Sequence, residues 1–335
     1  ILDVNPLVFE NSFLFGDPDP DIRNWDVDDL VNLNETRTGI ALDGVSTCLI
    51  RFTTSRSKSF DVEAGMAGKL EFTWGKQTHE IGQKHYGFFL YTPPIEAPDV
   101  ESVTSENGIK SFPLEYSLKI TEDGETQTSK QMVNLYPPPV VLVHGTFDNP
   151  VDCWKTPSQG GRSMFDKLEQ EGYKVFAVDY SSTNGLGRLG EIPCGGNFIG
   201  SPFLGESSCF ENNKQVVYKN PGGIKEALDF YRDQLDVAVC QADVIGHSMG
   251  GVLARVYASE QYEVNPNDRS VRDYTYKRED NFQSGDINRL ITISSTHHGS
   301  DMAWYLYLLD QEAVNDTLAF YDDTLHLDAL VEQAD

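Results

Sequence analysis

The chain has no apolar run approaching the roughly 20 residues a membrane span requires, so no transmembrane segment is expected. Positive charge is scarce: 26 Lys and Arg stand against 52 Asp and Glu, for a net charge of −26. Nucleic-acid phosphates would be repelled by such a surface, which removes that class of partner. Cysteine is sparse too, and none of the five (Cys48, Cys153, Cys194, Cys209, Cys240) has the C-x-x-C spacing of zinc and redox motifs. No internal repeat is present. The one dense run of carboxylates, Asp17 to Asp29, fails as a calcium loop. Ile22 stands where the sharp turn needs Gly, and Asp28 where a bidentate Glu is needed. A solvated acidic turn is expected there, with no metal.

At 335 residues the chain exceeds a typical single domain, and two domains are the natural reading. The division falls at Pro137-Pro138-Pro139, since three prolines can continue neither a helix nor a central strand and favour an extended spacer. Residues 1–136 read as β-rich. Ser46–Thr53, Lys69–Trp74, Gly87–Tyr91 and Leu114–Ile120 alternate apolar and polar residues, punctuated by Asn107-Gly108 and Asp123-Gly124. Short strands with frequent turns suggest an antiparallel sandwich. Residues 137–335 change rhythm to alternating strand and helix, the mark of a mostly parallel sheet.

Within that half, Tyr180 to Asn220 reads as a long irregular stretch, in which Phe198, Phe203 and Leu204 are candidates to line an apolar site. Cys194 and Cys209 flank its glycine-rich part, where a disulfide would gain most from loop closure. That pairing, with a first residue other than Met, sets the expectation of an exported protein, secreted or periplasmic. Cys240 reads as an ordinary buried thiol.

The most informative segment is Asp243 to Gly251. A short apolar strand runs into Gly246-His247-Ser248-Met249-Gly250, and the helix-forming run Val252 to Ala258 follows. In that strand–turn–helix context, G-x-S-x-G holds its serine on a sharp turn, hydroxyl exposed, beside the free N–H groups of a helix N-terminus. Ser248 is therefore a candidate nucleophile. A second segment points the same way. Val140-Val141-Leu142-Val143, continuous and apolar as a strand buried on both faces would be, leads into His144-Gly145-Thr146-Phe147. Backbone amides of Thr146 or Phe147, together with that of Met249, are candidate donors to an oxyanion. His247, at the centre of the turn, should point away from the serine hydroxyl and pack beside the turn.

From about Val140 to Ser300 the chain resembles the bacterial lipase and esterase branch of the α/β-hydrolase superfamily. The matching pieces are Val143 to Phe147, Gly172 to Tyr180, Gly246 to Gly250 and Ser295 to Ser300. The resemblance implies an α/β-hydrolase sheet behind the N-terminal β domain, and a serine carboxylic ester hydrolase that acts through an acyl-enzyme on an ester or lipid substrate, with no metal or organic cofactor. It also implies that His144, His297 and His298 line the pocket and do not act as the base.

A triad needs an acid and then a histidine after the serine. After His298 the sequence offers only His326, in a polar setting unlike the end of a core strand. The expectation is that the acid and base lie beyond this sequence, on a further segment or a separate C-terminal chain, with His326 as the alternative base. An acyltransferase on the same scaffold, or a surface or binding protein that keeps the fold without turnover, are the competing readings.

Overall fold

The computed structural model describes residues 8–10, 22–33, 37–54, 57, 59–63, 68–105, 108–122, 125–146, 148–157, 161–181, 202–211, 214–259, 276–278 and 281–299. The first half runs β1 Val8–Glu10, α1 Val27–Val31, β2 Gly39–Ala41, β3 Cys48–Thr54, β4 Ser59–Glu63, β5 Lys69–Glu71, β6 His79–Ile81, β7 Lys84–Thr92, β8 Val103–Thr104, β9 Lys110–Glu122 and β10 Glu125–Tyr136. One sheet has the order β1-β3-β7-β5, with β6 also on β7, and all its pairs are antiparallel.

The period-2 alternation of β3 explains the layering. Cys48, Ile50 and Phe52 face a core shared with Leu114, Tyr116 and Leu118 of β9. Leu49 faces the other way, against Phe88 and Leu90, under Leu30 of α1. Asp26 caps that short helix, accepting from Asp29 N at 3.0 Å. β9 and β10 form a hairpin that closes at Glu122↔Glu125, the two-residue loop that Asp123-Gly124 signals.

The second half adds β11 Val140–Val143, α2 Met164–Gln170, β12 Val175–Val178, β13 Glu206–Glu211, β14 Lys214–Lys219, α3 Ile224–Asp233, β15 Val237–Ala238, β16 Ala242–His247, α4 Met249–Ala258 and β17 Ile287–Ile293. β13 and β14 pair as a hairpin, so the stretch from 180 to 220 is not irregular throughout. Phe203, a candidate pocket wall, is fully buried instead and packs on Tyr257 with ring centroids 4.8 Å apart. Phe198 and Cys194 lie outside the described residues, as does the side chain of Cys209. Among the described residues, no disulfide is formed by Cys48, Cys153 or Cys240.

The halves interlock. The second sheet of the sandwich has the order β15-β2-β10-β9-β4, so a strand from residue 237 onward extends a sheet built by the first half. β2 is parallel to both its neighbours there. Ala238 joins the sandwich core, while Ala41 joins the core of the second half. Pro137, Pro138 and Pro139 are buried and do not form a free spacer. Tyr231 Oη donates to Pro137 O at 3.0 Å, and Asp243 N to Pro139 O at 2.9 Å.

The buried Asp43 carboxylate fastens the same seam. Val45 N and Ser46 N donate to its Oδ1 at 3.0 and 2.7 Å, and Ser46 Oγ and Cys240 N to its Oδ2 at 2.6 and 3.0 Å. Burial nevertheless holds this carboxyl above the usual range, against the pull of those donors.

The remaining four-stranded sheet, β12-β11-β16-β17, is parallel throughout. Val141 and Val143 of β11 face α3 and α4, while Val140 and Leu142 face Phe165 and Leu168 of α2. Helices thus cover both faces, as continuous apolar strands require. From β11 the chain moves outward to β12, then crosses back to β16 and continues to β17. The order reverses between β11 and β16. Loops leaving the carboxyl ends of such a strand pair diverge and open a crevice, the usual ligand position in open parallel sheets. No helix among the described residues is long and apolar enough to cross a membrane.

Candidate functional site

Both sequence motifs sit at that crevice. His144, Gly145 and Thr146 leave β11, and Ser248 links β16 to α4. Ser248 has φ 52° and ψ −123°, a conformation that costs a residue with a Cβ about 1–3 kcal/mol. It is held there by Ser248 N donating to Ile293 O at 2.8 Å and by close chain crossings on each side.

A Cβ on Gly246 would lie 2.5 Å from Gly251 N, and one on Gly250 would lie 2.4 Å from Val143 O. A Cβ on Gly145 would lie 2.8 Å from Ser248 Cβ and 3.3 Å from His247 Nδ1. The glycines therefore let the β11 loop and the start of α4 close on the serine. The hydroxyl of Thr146 donates to Met249 Sδ at 3.2 Å, which brings two of the expected oxyanion residues together. The first N–H groups of α4 have no acceptor within the helix, and Met249 N is the foremost of them. Phe147 lies outside the described residues.

His144, expected to line the pocket, is instead fully buried. Its ring stacks on Tyr180 at 3.9 Å between centroids, and the Tyr180 hydroxyl donates to His144 O. Burial pushes His144 below the ordinary imidazole range, against the raising effects of Gly145 O, Asp148 and Asp179. It acts as a wedge under the loop. His297 is half-buried, with Nε2 3.2 Å from Thr292 Oγ1, and His298 is exposed. His326 lies outside the described residues. The Ser248 side chain makes no capping hydrogen bond to α4.

Sequence reading gave no role to a second group beside the serine. Asp148, Cys153 and His247 bring one ligand-type atom each within 4.8 Å of one another. Cys153 lies in a π-helical turn, Val151–Lys155, started by Asn149 Oδ1, which accepts from Val151 N at 2.9 Å and Asp152 N at 3.0 Å. His247 does pack beside the turn, edge-on to the buried Trp154 ring at 6.4 Å and 84°. Its Nδ1 is 3.6 Å from Cys153 Sγ. Burial, then the charge and hydrogen bond of Asp148, push the Cys153 thiol up to about 12, too high for a thiolate nucleophile near neutrality. The only sequence signal is Asp148 and Cys153 following the His-Gly motif closely, which carries little information by itself.

No family model matches the chain, and no curated protein matches it. Among solved structures, a family 123 glycoside hydrolase from Clostridium perfringens shares 8% identity with it at a TM-score of 0.17. The alignment covers 83% of this chain and 53% of that one, so the chain spans about half the length of that enzyme. So slight a likeness carries no argument about fold or activity.

Proposed function

We propose that the protein is a serine carboxylic ester hydrolase on an α/β-hydrolase scaffold, with Ser248 as its nucleophile. The observation that carries this reading is the conformation of Ser248: positive φ, at the first turn of α4, where the strand order reverses. Backbone strain of this kind gathers at functional sites, where the surrounding structure holds a reactive group in place.

In this reading Ser248 Oγ attacks the ester carbonyl carbon while a histidine takes its proton. Backbone amides of Met249 and of Thr146 or Phe147 hold the oxyanion. The C–O bond then breaks, the alcohol leaves with the proton, and water attacks the acyl-enzyme to release the acid. The base follows Ser248 in chain order; His297, His298 and His326 do so in this sequence, and His326 is the one that the resemblance does not assign to the pocket. Export, secreted or periplasmic, belongs to the same proposal.

Rapid mixing with 4-nitrophenyl esters of increasing acyl length tests it. One equivalent of nitrophenol per chain should appear in a burst, followed by slower steady release as water cleaves the acyl-enzyme. Linear release at the rate of buffer, with every acyl length, would overturn the reading. Diversion of the acyl group to an added alcohol in preference to water would assign the same serine to an acyltransferase.

A further inference from the structure

Asp148, Cys153 and His247 stand on three separate elements: the loop after β11, the π-helical turn, and the last residue of β16. We propose that they form a binding site for a divalent cation of the zinc class. The inference stands apart from the ester-hydrolase reading and does not use Ser248.

The geometry agrees in its measured edge. A tetrahedral zinc ion with Zn–S near 2.3 Å and Zn–N near 2.0–2.1 Å separates sulfur from nitrogen by about 3.6 Å. Cys153 Sγ and His247 Nδ1 are 3.6 Å apart, and all three ligand atoms lie within 4.8 Å of one another. All three residues are half-buried, so water can deliver an ion without the fold opening.

The donor set selects the ion. Calcium and magnesium take mostly oxygen ligands, six or more, whereas a thiolate, an imidazole and a carboxylate suit zinc or cobalt. Charge also matches: one thiolate and one carboxylate neutralise a divalent cation, and the imidazole adds none. Binding breaks the Cys153 S–H bond, forms a sulfur–metal bond and releases one proton to solvent, with no change of oxidation state.

The ligands are held before any ion arrives. Cys153 N donates to Asn149 O at 3.1 Å, Asn149 caps the turn, and the Trp154 ring backs His247. Three protein ligands leave a fourth tetrahedral position for water or another small donor. The His247 ligand atom is close to the Ser248 turn, because a Cβ on Gly145 would lie 2.8 Å from Ser248 Cβ and 3.3 Å from His247 Nδ1.

The test is titration of the chelator-stripped full chain with cobalt(II), followed by absorbance. One equivalent should bind with a thiolate-to-cobalt charge-transfer band in the near ultraviolet and visible bands of four-coordinate intensity, and zinc should displace it. Cys153→Ser should lose the charge-transfer band, and Asp148→Asn should bind cobalt at least about tenfold more weakly. Circular dichroism confirms that each variant is folded. No band in the unaltered chain, a band undiminished in Cys153→Ser, or full affinity in folded Asp148→Asn would overturn the proposal.

Discussion

Ser248→Ala is expected to lower ester turnover by about 10⁴-fold or more while leaving the fold intact. Alanine keeps the Cβ that makes φ 52° costly, so neither the strain nor the packing of the turn changes. Ser248→Gly should lose activity to the same degree but gain about 1 kcal/mol of stability, because glycine adopts positive φ without penalty. The pair separates catalysis from strain. Steady-state kinetics with denaturant unfolding on both variants reads both effects. Appreciable turnover by either variant would remove Ser248 from the chemistry, and a Ser248→Gly chain no more stable than Ser248→Ala would remove the strain argument.

The second large effect is at the seam between the halves. Asp43→Ala should destabilise the protein by about 3 kcal/mol or more, since it strands three buried donors, Ser46 N, Ser46 Oγ and Cys240 N, and the half-buried Val45 N at once. Chemical unfolding should show the loss as an earlier midpoint. A change below about 1 kcal/mol would mean the seam is held without Asp43, by the β15–β2 pairing and its other contacts.

The carboxyl has a pH signature as well. Its folded pKa is raised, so the folded chain binds more protons than the unfolded one above the ordinary aspartate value. Its contribution is full below that value and is lost as pH rises through the folded pKa. Asp43→Asn should flatten that part of the stability curve. Asp243, also raised chiefly by burial, keeps a residual slope of the same sign.

These two residues also mark what the sequence could reveal. β11, β16 and α4 were legible because a strand buried on both faces reads as an unbroken apolar run, and because Gly246, Gly250 and Gly251 occupy positions where a side chain would meet backbone or Ser295. The strands of the sandwich were legible from alternation, as in Cys48, Ile50 and Phe52. Asp43 was not, since nothing local shows that its partner Cys240 N arrives from nearly two hundred residues away. β15 is two residues long and pairs with β2, so it carries no periodicity to read. The prolines at 137–139 were read through their backbone restriction, which allows an extended segment but does not say whether it is exposed. The Asp148, Cys153 and His247 cluster escaped for the same reason as Asp43: its members meet only after the sheet has formed. His144 was read by its motif, yet the stacked Tyr180 ring closes over it.

The measurement that tests the central claim most directly is intact and peptide mass spectrometry of the full chain after exposure to a fluorophosphonate. An activated serine should take one adduct, on the peptide containing Ser248, and Ser248→Ala should take none. A folded chain that takes no adduct, or an adduct that persists in Ser248→Ala, would contradict the account.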